Sequence, residues 1–401
     1  MNKLTIDDFP FKGKRVLVRV DFNVPLEGTT VTDDLRLEGS IPTIKKLVDI
    51  GAKIILVSHL GRPDGKIVEK LRMDPVAKRF SELIKKPVKK LNACVGPEVK
   101  AAVTAMQDGD IILLENIRFH AEEETNDPAF SKSLAELADV YVNDAFGTAH
   151  RAHASTVGVT QYLQPALAGY LMVKELKYLG DALNEPERPF LAILGGAKIS
   201  SKIGVLRVLL DKVDALIIGP AMAYTFFLAR NISIGKSLCE PGKIDMAKEV
   251  MIKSIEKHIP IHFPIDHLVV KERRGDAPSR IVSRGGIADD EEGVDVGPLS
   301  VEAFGHAIAK AKTVFWNGPV GIFETPEFSK GTFGIAKLLA ESKAKTIIGG
   351  GDSSAAVRKA GLADKMTHVS TGGGASLEFL EDKILPGLAA LTDRSVVSHT
   401  A

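Results

Sequence analysis

The segment FLAILGGAKISSK (190–202) predicts a buried strand, a tight glycine turn and the start of a helix. Three later segments repeat an apolar run followed by glycines: TVFWNGPVGIFE (313–324), TIIGGGDSSAA (346–356) and HVSTGGGASLE (368–378). Such a turn exposes backbone N–H groups at the positive end of a helix dipole, which favours an anion such as phosphate. Because all four glycine turns follow predicted strands, they suggest that one edge of a sheet holds a polyphosphate.

Continuous apolar runs of the same type recur along the rest of the chain. They are KRVLVRV (14–20), KIILVSHL (53–60), IILLEN (111–116), VYVNDAF (140–146), DALIIG (214–219), IHFPID (261–266), KTIIGG (345–350) and THVST (367–371). Continuous runs suit strands that are buried on both faces, and their alternation with helical stretches predicts parallel sheets with right-handed crossovers. With FLAIL and TVFW they make ten strands, which are many for one such sheet. We therefore expect an α/β protein with two doubly wound, Rossmann-like parallel-sheet domains, separated by a cleft and joined by a helix.

A helical stretch followed by a polar linker marks the predicted domain boundary. YLMVKELKYLGDAL (170–183) has leucines at helical spacing and continues into the proline-bearing NEPERP (184–189). The predicted division is a first domain at 1–172, an interdomain helix and linker at 173–188, and a second domain at 189–385.

Composition excludes several classes of protein. The 401 residues include 52 basic and 51 acidic side chains, a formal net charge of +1, whereas a nucleic-acid-binding protein normally shows a basic excess. Cys94 and Cys239 form no CxxC pair, which disfavours a disulfide framework and predicts a reducing compartment. Residues 1–10 do not resemble a signal peptide, and the uncharged stretch 215–229 is too short to span a bilayer. We expect a cytoplasmic protein without membrane contact, in which 215–229 forms a buried strand, a turn and a buried helix.

Polar and cationic side chains follow the predicted strands of the first half. They are Asp21, Asn23, His59, Arg62, Arg118 and Arg151. Because ligands of open α/β sheets bind outside the carboxyl ends of the strands, the arginines and the histidine are expected to share one pocket. Arginine forks match phosphate and carboxylate oxygens, whereas the aspartate and asparagine would orient hydroxyls. The alternatives are that each arginine belongs to a surface ion pair, and that the histidines of HRAH (150–153) bind a metal.

Lysines and an aspartate accompany the glycine turns of the second half. Lys198 and Lys202 are four residues apart, so they share a face if the segment is helical, and together they could neutralise a polyphosphate. Asp352 follows three glycines and suits Mg²⁺, which takes one or two carboxylates plus phosphate oxygens. Glu324 could accept from ribose hydroxyls, and the glycines at 372–374 could aim a helix N-terminus at an anion. The alternatives are a surface lysine pair, a helix cap at Asp352 and plain turns.

The combination of two anion sites predicts a transfer reaction. The signatures G-x-x-x-x-G-K-[ST], G-x-G-x-x-G and G-x-S-x-G are absent, which disfavours P-loop NTPases, simple Rossmann dehydrogenases and serine hydrolases. Phosphoryl transfer needs positioning and positive charge and no protein nucleophile. The residues therefore predict a two-domain kinase for a small phosphorylated or carboxylated metabolite, with closure of the cleft excluding water.

Long motifs in this chain resemble those of the phosphoglycerate kinase family over nearly the full length. They are RVDFNVP (19–25), SHLGRP (58–63), ENIRFH (115–120), FGTAHRAHAST (146–156), LGGAKISSKI (194–203), WNGPVGIFE (316–324), GGGDS (349–353) and STGGGASLE (370–378). The resemblance implies a monomeric, cytoplasmic enzyme of glycolysis and gluconeogenesis. Its reaction would be the reversible, Mg²⁺-dependent transfer of a phosphoryl group between 1,3-bisphosphoglycerate and ADP, giving 3-phosphoglycerate and ATP. Transfer would be direct and in-line, with a carboxyl group as acceptor and hinge-bending closure of the domains.

The resemblance also implies residue roles by motif position. The 3-phosphoglycerate site would comprise Asp21, Phe22, Asn23, Arg36, His59, Leu60, Gly61, Arg62, Arg118 and Arg151. The nucleotide site would comprise Gly196, Lys202, Gly219, Leu238, Gly293, Pro319, Glu324, Gly350, Gly351, Asp352 and Ser353, with Asp352 on Mg²⁺. The moving phosphoryl group would meet Arg36, Lys198, Lys202, Gly372, Gly373 and Gly374. The tail, 386–401, would pack back on the first domain.

The chain departs from the family pattern near the expected nucleotide site. Ser201 stands where the family often has Asp, and GPAMAYTF (219–226) stands for GGGMAFTF, which bears on nucleotide affinity and base preference. Two rival functions remain at this stage. One is a two-domain anion-binding or regulatory protein that closes without chemistry. The other is an acyl-phosphate kinase for a shorter carboxylate, against which the arginine cluster argues, because an unphosphorylated acid needs no second anion pocket.

Overall fold

The computed structural model describes residues 2–397, so the last four residues of the predicted tail, 398–401, lie outside the described residues. The chain forms two compact units: one contains the residues up to Lys177 and those from Ile384 onward, and the other is Tyr178–Lys383. Within residues 2–397, every helix is too short or too polar to cross a membrane.

The first unit is built on a parallel sheet. Its strands are β1 (Arg15–Val20), β2 (Leu26–Glu27), β3 (Thr30–Val31), β4 (Lys53–Val57), β5 (Lys89–Lys90), β6 (Ile111–Leu113), β7 (Val140–Asp144) and β8 (Ala166–Ala168). Six of them form a sheet in the order β5-β6-β4-β1-β7-β8, in which all pairs are parallel. The runs that predict β1, β4, β6 and β7 are confirmed, because apolar strands in the middle of the sheet are covered on both faces. The edge strands β5 and β8 carry too few residues to show a pattern, and β2 and β3 form a separate two-stranded sheet.

Helices cover the sheet of the first unit. They are α1 (Leu35–Asp49), α2 (Asp74–Ile84), α3 (Pro97–Thr104), α4 (Ala121–Glu124), α5 (Pro128–Ala135) and α6 (Tyr170–Asn184). Short 3₁₀ helices lie at Ile6–Asp8, Glu69–Leu71, Ile117–Phe119, Phe146–Thr148 and Gly158–Gln161. The boundary between the two units falls inside α6. Asp144 at the end of β7 caps this helix by accepting from Leu171 N at 2.9 Å, and a Cβ at Gly169 would lie 2.2 Å from the same carboxylate.

The second unit has its own parallel sheet and a smaller antiparallel one. Its strands are β9 (Phe190–Leu194), β10 (Ala215–Ile218), β11 (Ile261–His262), β12 (Asp266–Val270), β13 (Ser279–Ser283), β14 (Glu292–Val296), β15 (Thr313–Asn317), β16 (Lys345–Gly349) and β17 (His368–Val369). The parallel sheet has the order β11-β10-β9-β15-β16-β17, and the antiparallel sheet has the order β13-β12-β14. The prediction of one strand at 261–266 is wrong, because Pro264, which has no N–H to donate, separates β11 from β12. The antiparallel sheet was not predicted.

The second unit also contains helices, and those that begin at Pro220, Gly351 and Gly374 do so at predicted glycine turns. The helices are α7 (Ile203–Leu209), α8 (Pro220–Leu228), α9 (Ile244–Glu256), α10 (Pro298–Lys310), α11 (Lys330–Glu341), α12 (Gly351–Lys359) and α13 (Gly374–Leu380), with 3₁₀ helices at Pro241–Lys243, Pro326–Phe328 and Ala363–Lys365. The strand, turn and helix predicted for 215–229 are confirmed, and Pro220 occupies the first helical position, where its fixed φ suits a helix start. The prediction of a helix directly after the turn in 313–324 is wrong, since β15 continues into a non-helical loop.

The described part of the C-terminal tail is hydrogen-bonded within the first unit. It contains α14 (Pro386–Ala389) and α15 (Arg394–Val397). Gly387 N donates to Ala149 O at 2.8 Å, and Thr392 N donates to Ala166 O at 2.9 Å. Leu4 N donates in turn to Thr392 O at 2.9 Å, so the tail lies beside the first residues of the chain.

Candidate active site

Hydrogen bonds join the loops that follow β1 and β4 to the first turn of α1, at the carboxyl edge of the first sheet. Arg36, in the first turn of α1, donates from Nη1 to Asp21 Oδ1 (3.1 Å) and to Asn23 O (2.9 Å). Asn23 Oδ1 accepts from Gly61 N at 2.8 Å. These contacts bring together residues that are 13 to 38 positions apart in the chain. Arg36, Asp21, Asn23 and Gly61 therefore lie in one cluster, in which the strand-end argument predicts Asp21 and Asn23 and the resemblance implies Arg36 and Gly61.

Arg118 is held next to this cluster by hydrogen bonds to the side chain of Asn116. It lies in the 3₁₀ helix after β6, and Asn116 Oδ1 accepts from both Arg118 N (3.2 Å) and Leu60 N (3.1 Å). The amide of Asn116 thus fixes the loop after β4 against the turn after β6. Arg118 Nη1 donates to Gly61 O at 3.0 Å, which places the guanidinium beside the Asn23 contact.

The Arg118 guanidinium is buried without a full set of partners. Arg118 is 6% exposed, and its Nε lies 3.2 Å from Glu124 Oε1 without forming a hydrogen bond. Burial, together with the nearby Arg19 and Arg151, lowers the pKa of Arg118, and Glu124 opposes this shift. A buried cation with unused N–H donors is stabilised by an incoming anion.

His59 lies under the same cluster as a buried, neutral imidazole. It is 4% exposed, and its Nδ1 is 3.1 Å from Arg19 Nη2 and 4.0 Å from Asp21 Oδ1. Burial first, and then the charges of Arg19, Arg118 and other cations, hold the pKa of His59 well below its usual value. At neutral pH, His59 is therefore a hydrogen-bonding group and carries no positive charge.

The other residues predicted for this site differ in accessibility. Arg62 is exposed, and Arg151 Nη1 lies 4.0 Å from Glu124 Oε1. Phe22 and Leu60 have side chains in the core, at 0% and 2% exposure. Only the backbones of these two residues could face a ligand.

The lysine pair of the second unit does not share a helix face, which corrects the prediction. α7 begins at Ile203, so Lys198 lies in the preceding loop and is exposed, whereas Lys202 is 8% exposed. Lys202 Nζ donates to Gly195 O (2.5 Å) and Asn317 O (3.0 Å). Burial lowers the pKa of Lys202 to about 8, partly opposed by Asp352. The two lysines therefore offer different groups: an exposed ammonium at 198 and an ammonium tied to the turn at 202.

Glycine turns after β9, β15 and β16 lie side by side. Gly195 N donates to Asn317 O at 2.9 Å, and Gly196 N donates to Pro319 O at 3.1 Å. Gly318 N donates to Ser353 Oγ at 2.6 Å. A Cβ at Gly318, whose φ is +91°, would lie 2.3 Å from the backbone oxygen of Gly195, so this turn requires a residue without a side chain.

Asp352 offers a single carboxylate as a ligand for a divalent cation. It is exposed in the first turn of α12, after Gly350, whose φ is +88°. Within residues 2–397, no group of three or more His, Cys, Asp or Glu side chains could hold a metal ion. Among the described residues, Asn317 Nδ2 is buried without a hydrogen-bond partner beside Gly350, which leaves an unused donor at this turn. The residues fit Mg²⁺ that takes one carboxylate from the protein and its other ligands from phosphate and water.

The remaining nucleotide-side residues lie on several elements of the second unit. Gly219 caps α8, and Gly293 lies in β14, where a Cβ would be 1.8 Å from Tyr224 Oη. Glu324 is exposed, and Leu238 is an exposed apolar side chain. Tyr224 Oη lies 3.2 Å from His267 Nδ1, so a polar pair packs beneath Gly293.

The last glycine turn leads into a short helix. α13 begins at Gly374, and Gly373, with φ +52°, precedes it. Gly372 N donates to Ser370 Oγ at 3.0 Å, and Ser370 Oγ pairs with Ser376 Oγ at 2.8 Å. The helix start predicted for this turn is confirmed.

Sequence reasoning missed four polar residues that support these clusters. They are Arg19, Glu123, Ser155 and Asn317, all of which are at most 2% exposed. Arg19 had a visible signal, because it is the charged residue inside the otherwise apolar stretch 16–20. The other three had no such signal, since their burial depends on tertiary packing.

Comparison with known proteins places the chain among kinases. The sequence profile of the phosphoglycerate kinase family matches residues 6–383. The phosphoglycerate kinase of Dictyoglomus turgidum is 58% identical over 392 residues, covering 98% of this chain and 98% of that protein. That of Chlorobaculum tepidum is 54% identical over 397 residues, covering 98% of this chain and 100% of that protein.

Solved structures agree with the sequence matches. Phosphoglycerate kinase from Coxiella burnetii superposes with a TM-score of 0.84 at 41% identity, covering 97% of this chain and 98% of that chain. The enzyme from Pyrococcus horikoshii OT3 gives a TM-score of 0.86 at 30% identity, covering 99% and 100%. The profile, the relatives and the fold agree over nearly the full length, and the chain therefore belongs to the phosphoglycerate kinase family.

Proposed function

We propose that this kinase transfers a phosphoryl group reversibly between 1,3-bisphosphoglycerate and ADP, giving 3-phosphoglycerate and Mg-ATP. The observation that carries the proposal is the buried guanidinium of Arg118, which has unused N–H donors in a cluster with Arg36, His59 and Asp21. A substrate with both a phosphate and a carboxyl group uses such a cluster fully. A shorter, unphosphorylated acid would leave part of it unpaired, at a cost in affinity.

The first unit would bind the phosphoglycerate. Arg62, Arg118 and Arg151 would hold its phosphate by charge-assisted hydrogen bonds. Asp21 and Asn23 would orient its hydroxyl, and Arg36 would stand at the carboxyl group that accepts the phosphoryl group. His59 would add a neutral hydrogen bond, together with backbone groups of Phe22, Leu60 and Gly61.

The second unit would bind the nucleotide. The turns that contain Gly196, Lys202, Gly350, Gly351 and Ser353 would hold the phosphates by backbone N–H groups and one ammonium. The nucleoside would contact Gly219, Leu238, Gly293, Pro319 and Glu324. Asp352 would supply the one protein carboxylate for Mg²⁺. When bound, the metal would neutralise part of the charge on the phosphate oxygens.

Transfer would be in-line and would need no protein nucleophile. The exposed ammonium of Lys198, Arg36 and the helix start at Gly372, Gly373 and Gly374 would stabilise the charge on the moving phosphoryl group. Hinge-bending closure of the domains would bring both substrates together and exclude water. We also propose that the enzyme acts as a monomer in the cytoplasm, without nucleic-acid or membrane partners.

A coupled assay tests this function. Purified protein is mixed with Mg-ATP and 3-phosphoglycerate, and ADP formation is followed, with acetate replacing 3-phosphoglycerate as the matched control. We expect turnover with 3-phosphoglycerate and none with acetate. Turnover with acetate alone would instead support a kinase for shorter acids. Binding of both ligands without turnover would support an anion-binding protein that closes without chemistry.

A further inference from the structure

A buried chain of hydrogen bonds runs from Glu123 to His59 beneath the first-unit cluster. Glu123 is 0% exposed, and it accepts from Ser155 N at Oε2 (2.8 Å) and from Ser155 Oγ at Oε1 (2.6 Å). Ser155 Oγ accepts from Arg19 Nε at 2.8 Å. Arg19 Nη2 lies 3.1 Å from His59 Nδ1, which completes the chain.

The direction of every bond in this chain is fixed by the chemistry of the groups. The guanidinium of Arg19 has donors only, so His59 Nδ1 must accept and the imidazole proton must sit on Nε2. Ser155 has one hydroxyl hydrogen, and the short contact to Glu123 uses it. The oxygen lone pairs of Ser155 are then directed at Arg19 Nε.

Charge balance explains why the chain ends in a carboxylate. Arg19 is 0% exposed, and its Nη1 donates to Val20 O. A fully buried guanidinium is costly without a negative partner nearby. Burial raises the pKa of Glu123, and Arg19 is the strongest influence that opposes the increase.

We propose that Glu123 and Ser155 are positioning residues that hold Arg19 so that His59 presents a neutral Nε2–H donor to the substrate. This inference rests on the proposed function for the substrate contact. Within the described part of the chain, His59 Nε2 has no hydrogen-bond partner. This nitrogen is not one of the unpartnered polar atoms that are fully buried, so solvent reaches it. The recognised group is an oxygen that accepts a hydrogen bond, such as a carboxylate or hydroxyl oxygen of the acid.

The test compares two substitutions in the chain with a matched control. Ser155→Ala removes the acceptor of Arg19 Nε, and Glu123→Gln removes the buried charge while keeping the size. Glu122→Gln is the control, because Glu122 is the preceding residue of the same short helix and is exposed. The readouts are the ¹⁵N NMR signals of the His59 ring, assigned by their loss in His59→Asn, and the separate KM values for 3-phosphoglycerate and ATP.

In the unsubstituted protein, we expect His59 with Nδ1 unprotonated and Nε2 protonated. Both test variants should show mixed tautomers at His59 and an increase of about tenfold in KM for 3-phosphoglycerate, the size of one lost charge-assisted hydrogen bond. KM for ATP should stay within about twofold, and Glu122→Gln should change neither readout.

A protonated Nδ1 in the unsubstituted protein, or an unchanged His59 tautomer in a folded Ser155→Ala, would overturn the proposal. If Glu123→Gln does not fold, the proposal is still tested by the His59 tautomer of the unsubstituted protein and by its comparison with the tautomer in Ser155→Ala. An unsubstituted protein that lacks phosphoglycerate kinase activity would contradict the proposed function alone, since the ring signals require no substrate.

Discussion

Replacing Arg118 with alanine should separate the two proposed binding sites. Arg118 Nη1 is used by Gly61 O and Nε faces Glu124, so Nη2 is the nitrogen best placed to bind a ligand anion. A hydrogen bond to a charged group is worth about 1.5–3 kcal/mol. Since about 1.4 kcal/mol is tenfold in affinity, Arg118→Ala should raise KM for 3-phosphoglycerate by about 10- to 150-fold. KM for ATP should change by less than about twofold, because the proposed nucleotide contacts lie in the other unit.

The assay measures ADP formation while one substrate is varied at saturation of the other. Arg15→Ala is the matched control, since Arg15 begins β1, at the end of the strand opposite to Asp21, and forms a partly exposed ion pair with Asp139 at 2.6 Å. Such a surface pair contributes about 0–1 kcal/mol to stability, so neither KM should change. Thermal unfolding of both variants checks that the first unit remains folded. Equal increases in both KM values, or an unchanged KM for 3-phosphoglycerate, would refute the division of the sites.

Three further predictions concern the second unit. Lys198→Ala should lower kcat by about 100-fold or more with little change in KM, because its ammonium is exposed and would act in the transition state; a rise in KM alone would contradict that role. Gly293→Ala should lower both Tm and nucleotide affinity, because its Cβ would meet Tyr224 Oη at 1.8 Å. Gly242→Ala is the control and should change neither, because a Cβ there would have no atom within 4 Å. Equal effects of the two substitutions would count against the packing argument. The stability should decrease as pH falls from 6.5 to 4, because burial lowers the pKa of His267 to about 4 and the unfolded chain takes up the proton first. His267 contributes up to roughly 3 kcal/mol to this loss of stability. The calorimetric Tm of His267→Leu should therefore vary less with pH than the Tm of the unsubstituted protein. The same pH dependence in both proteins would show that His267 does not cause the loss.

The position of Lys202 shows how tertiary structure changes the interpretation of a motif. Its spacing from Lys198 suggested two equivalent ammonium groups, but the helix begins only at Ile203. Lys202 is therefore buried beside the ends of β9 and β15, where the carbonyl oxygens of Gly195 and Asn317 accept hydrogen bonds from two of its three N–H donors. A lysine bound in this way stabilises the glycine turn and keeps one of its three N–H donors for a phosphate.

Local sequence was sufficient for elements whose signal is local. The apolar runs of β9 and β15 predict strands because each is buried on both faces, and the glycines before α12 and α13 mark their starts. The edge strands β5 and β8 lie outside the apolar runs that predict strands, so the sequence does not predict them, and they exist because a neighbouring strand offers free hydrogen-bonding groups.

The sequence by itself determined the α/β class, the family and the strand-end positions of Arg118, His59 and Asp352. These follow from hydrophobic pattern, glycine placement and motif length, all of which are properties of contiguous residues. The tertiary structure decided which of these groups are free to act. Burial and nearby cations keep His59 neutral, and hydrogen bonds hold the ammonium of Lys202 against the turn. Long-range hydrogen bonds through Ser155 and Arg19 connect Glu123 to His59, which is 64 positions away in the printed sequence. Protonation and accessibility depend on neighbours that only the folded chain brings together.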